Sequence, residues 1–175
     1  MSSRHIAIFA SGAGTTLQTL IDNQAQYGYC VSLVVTNREC TALERAANHH
    51  IPTLQTKDWE TIDKALTDNE IQLIVLAGFL AIIPAWICQK WDKRIINVHP
   101  SLIPSFCGKG FYGLRVHEAA LEKGVKISGA TVHFVTPECD GGPIILQKPV
   151  AVREDDTPET LQRRIMEEAE WKILP

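Results

Sequence analysis

Short apolar runs alternate along this chain with amphipathic stretches, and each junction carries a turn signal. Residues 6–10 (Ile-Ala-Ile-Phe-Ala) read as a buried strand, residues 11–14 as a tight turn, and residues 16–23 as a helix with Leu17, Leu20 and Ile21 on one face. A second strand falls at 31–35. A helix follows over 41–48, with Thr41 as its cap and Glu44 completing a capping box. Next come a short strand at 51–54, a helix at 59–68, a strand at 73–76, a short helix whose first turn holds Pro84, and a strand at 94–98. The second half differs. Residues 101–113 form a long loop rich in Gly and Pro, of the length that is often functional. A helix at 117–123 precedes two strands, 131–135 and 144–152, joined by a Gly-rich connection. Thr157 and Pro158 cap and start a final helix. This order predicts an α/β fold: a mostly parallel central sheet, helices on both faces, and a partly antiparallel C-terminal edge.

Composition narrows the function class. At 175 residues the chain is most simply one domain, 1–175, long enough to bury a sizeable core. The 17 Lys and Arg against 20 Asp and Glu give a net charge of -3, which argues against a general nucleic-acid binder. No stretch approaches the roughly 18 apolar residues of a membrane span, and no leader-like apolar region follows the start. Cys30, Cys40, Cys88, Cys107 and Cys139 are scattered, with no Cys-x-x-Cys pair, which reads as free thiols in a reducing, cytoplasmic setting. The six histidines show no metal-ligand spacing, so no metal is expected.

Two places carry chemistry. Asn97 and His99 sit two apart at the end of an apolar run. On a strand that spacing puts an amide and an imidazole on the same face. Pro100 lacks an N–H and ends the strand there, where open α/β sheets place their sites. Asp140, in Asp140-Gly141-Gly142-Pro143, supplies a carboxylate, although Asp before Gly-Gly also suits a plain turn. His133, in an apolar strand, reads as structural rather than catalytic. The second place is Ser11-Gly12-Ala13-Gly14-Thr15-Thr16. Two glycines and a helix N-terminus can cradle a phosphate, or can simply make a tight turn. Leu17 stands where a dinucleotide fingerprint needs its third glycine, and no Gly-Lys-Ser/Thr of a P-loop follows.

Taken together these motifs resemble the folate-dependent formyltransferases over nearly the whole chain. The resemblance rests on Ser11 to Thr15, Leu76-Ala77-Gly78-Phe79, Asn97-Val98-His99-Pro100-Ser101-Leu102-Ile103-Pro104, Gly108-Lys109-Gly110-Phe111-Tyr112-Gly113, Gly129-Ala130-Thr131-Val132-His133-Phe134-Val135 and Asp140-Gly141-Gly142-Pro143-Ile144-Ile145. It implies a Rossmann-like formyltransferase fold. It also implies transfer of a formyl group from 10-formyltetrahydrofolate to the amine of glycinamide ribonucleotide, a step of purine synthesis, by direct attack through a tetrahedral intermediate. Asn97, His99 and Asp140 would be catalytic. Gly12, Gly14, Thr15 and Thr16 would hold the nucleotide phosphate, with Glu167 and Glu170 near the ribonucleotide. Leu80, Ala81, Ile82 and Ile83 would line the folate pocket with Asn97. Thr136, Pro137, Glu138, Cys139 and Asp140 would close over the pterin. Small-molecule partners are implied, with neither nucleic acid nor membrane, in a monomer or homodimer.

Three departures from the pattern stand out. Ala13 and Thr16 replace the Asn or Ser common in the phosphate loop, Ala81 replaces a basic residue of some relatives, and the chain stops at Pro175 within its closing helix. The alternatives are a formyltetrahydrofolate deformylase, which transfers the same group to water, and a non-catalytic nucleotide-binding module. Methionyl-tRNA formyltransferase would need a C-terminal RNA-binding domain. A nicotinamide oxidoreductase would need an acidic residue after the second strand, where Asn37 and Arg38 stand.

Overall fold

The computed structural model describes residues 3–175; Met1 and Ser2, at the start read above as carrying no leader, lie outside the described residues. The chain divides into two compact units, one reaching to Asn97 and the other running from Val98 to Leu174. The first contains β1 (Arg4–Ala10), α1 (Thr15–Tyr27), β2 (Tyr29–Thr36), α2 (Thr41–Asn48), β3 (Thr53–Gln55), α3 (Trp59–Asp68), β4 (Leu73–Leu76), α4 (Ala85–Lys90) and most of β5 (Ile95–His99). The second contains α5 (Leu114–Lys123), β6 (Ile127–Phe134), β7 (Ile144–Ala151) and α6 (Pro158–Ile165). It ends with a π-helical turn, Met166–Glu170, and α7 (Trp171–Ile173). Strand order through the sheet is β3-β2-β1-β4-β5-β6-β7. Pairs β1–β2, β1–β4, β2–β3 and β4–β5 are parallel, and β6–β7 is antiparallel.

In the first unit β1 is central and buried along Ile6 to Ala10, as a parallel strand covered on two faces must be. Ile8 lies opposite Val34 on one side and Val75 on the other. Leu17, Leu20, Ile62, Leu66 and Ile74 complete this core, and burying each such side chain stabilises by about 1.5–3 kcal/mol. Phe9 meets the Phe79 ring edge-on at 5.2 Å. In the second unit Val116, Ala120, Val132, Leu161 and Ile165 are buried.

The chain leaves β1 for β2 on one side and returns to β4 on the other. That reversal opens a crevice at the C-terminal ends of β1 and β4, the usual ligand position of an open α/β sheet. The turn after β1 lies there. Gly14 has φ 71, and a Cβ on it would lie 2.9 Å from the Ala42 Cα, so only glycine lets α1 begin this close to α2.

Several boundaries differ from the sequence expectation. Helix α1 continues to Tyr27 and stops at Gly28, whose left-handed backbone (φ 73) returns its N–H to the Gln24 carbonyl. Cys40, not Thr41, is the N-cap of α2, and no side chain caps it; Thr41 is already helical. Pro84 caps α4 from outside its first turn. Helix α6 starts as expected, with Thr157 as cap and Pro158 first, and Thr160 completes the reciprocal box.

Candidate active site

Strand β5 runs through His99 and pairs Asn97 with Leu76 of β4. Asn97 and His99 therefore share a face of one strand, as their spacing demands. His99 is 4% exposed. Its Nε2 donates to the Phe106 carbonyl at 2.8 Å, and its Nδ1 lies 3.7 Å from Oδ2 of Asp140. Asp140 Oδ2 also accepts the Gly108 amide at 2.8 Å. On the other carboxylate oxygen, His133 Nε2 stands 3.7 Å from Oδ1, while His133 Nδ1 donates to the Phe134 carbonyl at 2.9 Å.

A carbonyl only accepts, so His99 Nε2 and His133 Nδ1 must carry the ring protons. The nitrogens that face Asp140 are then the basic ones in each neutral ring. A proton arriving here makes an imidazolium directly against a carboxylate, the pairing that stabilises it most. Burial pushes the His133 pKa down, while the Phe134 carbonyl and the Asp140 charge pull it up. His117 on α5 is fully buried, and burial, with His99 nearby, lowers its pKa to about 4. The arrangement sets two buried imidazoles against one carboxylate.

Around Asp140 lies a cleft of about 620 Å³, within the usual range for small-molecule sites. Ile103, Pro104, Cys107 and Gly108 form one side, and Glu138 to Ile144 the other. Of the loop expected to close over a pterin, Glu138, Cys139 and Asp140 line this cleft, whereas Thr136 and Pro137 do not. Gly142 packs so tightly that a Cβ on it would sit 1.8 Å from the Phe134 carbonyl oxygen. That glycine lets the loop fold back onto the end of β6 and brings Asp140 to His133.

The first unit holds the other expected groups. Gly12, Gly14, Thr15 and Thr16 form the turn and first residues of α1. Arg38 Nε donates to the Ser11 carbonyl at 2.6 Å, and Arg45 Nε to the Ala13 carbonyl at 2.7 Å. The two guanidinium groups occupy loop carbonyls and put positive charge beside a helix N-terminus, which suits a phosphate. Ser11 Oγ accepts the Leu80 amide at 2.9 Å and donates to Asn37 at 2.8 Å, so it fixes the start of the 80–83 segment. Within that segment Ile83 is buried and Ile82 is 79% exposed. Sequence reasoning missed the contacts of Ser11, Arg38 and Arg45 and the placing of His133 against Asp140. The contacts of the first three cross 26 or more residues, and no local pattern reports them.

Glu167 and Glu170 separate in the π-helical turn, Glu167 exposed and Glu170 buried. Burial raises the Glu170 carboxyl to about 7, against an ordinary 4.5. A folded-state pKa raised in this way costs stability as pH climbs, beginning at 4.5, where the unfolded chain ionises, and complete above about 7. Glu170→Gln is expected to remove that slope and to unfold at a higher temperature than the parent at pH 8. Thermal scans at pH 5 and pH 8 check it, and an identical pH slope in both proteins would contradict it.

No group of three or more His, Cys, Asp or Glu side chains among the described residues is arranged to hold a metal ion. No helix among them is long and apolar enough to cross a membrane.

The formyl transferase family profile matches residues 4–175. The chain is 37% identical to the chloroplastic phosphoribosylglycinamide formyltransferase of Arabidopsis thaliana, over 94% of its own length and 61% of that protein's. It is 35% identical to phosphoribosylglycinamide formyltransferase of Bacillus subtilis, over 93% of this chain and 87% of that one. The crystal structure of phosphoribosylglycinamide formyltransferase from Anaplasma phagocytophilum superposes with a TM-score of 0.91 at 37% identity, covering 99% of this chain and 84% of that one. The chain thus spans about three-fifths of the Arabidopsis relative's length and most of the Bacillus one. With its amide–imidazole strand, its carboxylate between two histidines and a family match from residue 4 to residue 175, the chain belongs to the formyl transferase family.

Proposed function

We propose that this protein transfers a formyl group from 10-formyltetrahydrofolate to the amine of glycinamide ribonucleotide. The carrying observation is the setting of Asp140, between two buried imidazoles whose far nitrogens are tied to carbonyls. An amine that attacks a formyl carbon must lose a proton, and this cluster takes one.

The folate, when bound, supplies the formyl group. Asn97 donates its amide N–H to the oxygen on which charge develops, a contribution of about 10²–10³-fold. His99 accepts the amine's proton at Nδ1, and Asp140 stabilises the resulting imidazolium. The apolar and backbone surfaces beside Asp140 suit a flat heterocycle, with Glu138 and Cys139 at its margin. The turn at Gly12 to Thr16, with Arg38 and Arg45 behind it, binds the ribonucleotide phosphate, and the family resemblance assigns Glu170 to the same substrate. The free cysteines fit a reducing, cytoplasmic setting.

The test is spectrophotometric. The protein is mixed with a 10-formyl folate, with and without glycinamide ribonucleotide, and release of the deformylated folate is followed. Release is expected only with the ribonucleotide. Release that ignores it would replace this reading with a deformylase, and none in either mixture would leave a binding module.

A further inference from the structure

His99 owes its orientation to one carbonyl, that of Phe106, and Phe106 lies in the left-handed region at φ 50. A bulky aromatic residue does not rest there unless its surroundings hold it. What holds it is a closed network of side chains from β6 and β7. Thr131, fully buried on β6, donates its hydroxyl to the Ser101 carbonyl at 2.7 Å. The same oxygen accepts the Ile103 amide and Gln147 Nε2, each at 3.1 Å. A hydroxyl has one proton and two lone pairs, and all three are used. Gln147 Nε2 spends its second proton on the Ile103 carbonyl at 3.0 Å. Ser101, also fully buried, then passes its hydroxyl to the Ser105 carbonyl at 2.5 Å, with Phe106 O at 3.4 Å.

We propose that Thr131 and Gln147 are positioning residues for His99: they pin the turn at residues 101–106 so that the Phe106 carbonyl holds the Nε2 proton and Nδ1 is left facing Asp140. Neither side chain touches the reacting groups. Without the Thr131 hydroxyl, the buried Ser101 carbonyl and the part-buried Ile103 amide lose their partner together, and the turn relaxes toward ordinary backbone angles. The Phe106 carbonyl then moves off the imidazole, and the ring is free to take the other tautomer or to rotate. The titratable groups around His99 are Asp140, His133 and His117, and none of them reaches Nε2 to take over this role.

The catalytic part of this inference rests on the formyl-transfer reading; the orientation of His99 does not. The test therefore has two readouts. Long-range ¹⁵N–¹H correlation spectra of histidine-labelled protein without substrates report which His99 nitrogen carries the proton. Formyl-transfer kinetics then report kcat and KM separately, across pH. In Thr131→Val, which keeps the shape and removes the hydroxyl, we expect loss of the pure Nε2–H form. We also expect kcat to fall by up to about 10²-fold, the scale of a misplaced group, with KM for the ribonucleotide little changed and the pH–rate profile moved. Thr131→Ser, which keeps the hydroxyl, restores both readouts. Gln147→Met, on the exposed edge strand, gives a weaker form of the same change and carries the test if the valine variant does not fold. An unaltered tautomer and kcat in folded Thr131→Val, or a serine variant as impaired as the valine one, overturns the proposal. If the parent transfers no formyl group, the catalytic reading fails while the tautomer readout still decides the positioning.

Discussion

His99→Ala is expected to slow formyl transfer by about 10²–10⁴-fold, the span of a general acid–base group. That corresponds to about 2.7–5.5 kcal/mol of transition-state stabilisation. The loss follows from geometry. Nδ1 of His99 is the basic nitrogen on the face shared with Asn97, and Asp140 Oδ2 is 3.7 Å behind it. Removing the ring deletes the proposed proton acceptor and takes the imidazole donor from the Phe106 carbonyl, so stability should fall by about 1–3 kcal/mol. If the turn at Gly12 to Thr16 binds the ribonucleotide as proposed, its affinity should hold, because that turn is untouched. Single-turnover rates, a ribonucleotide titration and a melting curve on the same sample separate the three effects. Near-normal turnover in a folded variant would remove His99 from the chemistry.

How much of this was legible beforehand differs from residue to residue. The Asn97–His99 pair reads directly, because its geometry depends only on the two-residue period of a strand and the stop at Pro100. The fold class was equally plain, since each buried strand carries its own apolar run; α3 at Trp59–Asp68 and β4 at Leu73–Leu76 fall on the expected residues. The far end of α1 was not legible. Residues 24–27 are polar or exposed and carry no periodic signal, so only Gly28 marks the stop.

His133 reads as a core residue in the sequence. It is buried on an apolar strand, as a core histidine would be. What brings it within 3.7 Å of Asp140 is the tight return of Gly142 against Phe134, which sets the carboxylate opposite Nε2. Arg38 and Arg45 were missed similarly, since each reaches a loop carbonyl from a distant stretch of sequence. Local patterns report what a residue does within its own element. They are silent where two elements meet, and much of this site is made of such meetings.

The sharpest test of the proposed proton-accepting cluster is Asp140→Asn. Asn keeps the size of the side chain, still accepts the Gly108 amide, and tolerates the left-handed backbone at φ 54 that Asp140 occupies, so the loop should stay in place. Only the charge goes. Turnover is expected to fall by about 10²–10⁴-fold, because an imidazolium forming in this buried place no longer meets a carboxylate. The pH response should move in a set direction. Asp140 pulls the His133 pKa up against the effect of burial, so its loss lets His133 titrate at still lower pH. The limb of the pH–rate curve that reports protonation of this cluster should shift the same way. Histidine NMR titrations beside the pH–rate curve check both statements. If turnover drops and the titrations do not move, Asp140 acts by shaping the cleft rather than by its charge. If neither changes, Asp140 is only the first residue of a glycine turn, and the proton must leave by another route.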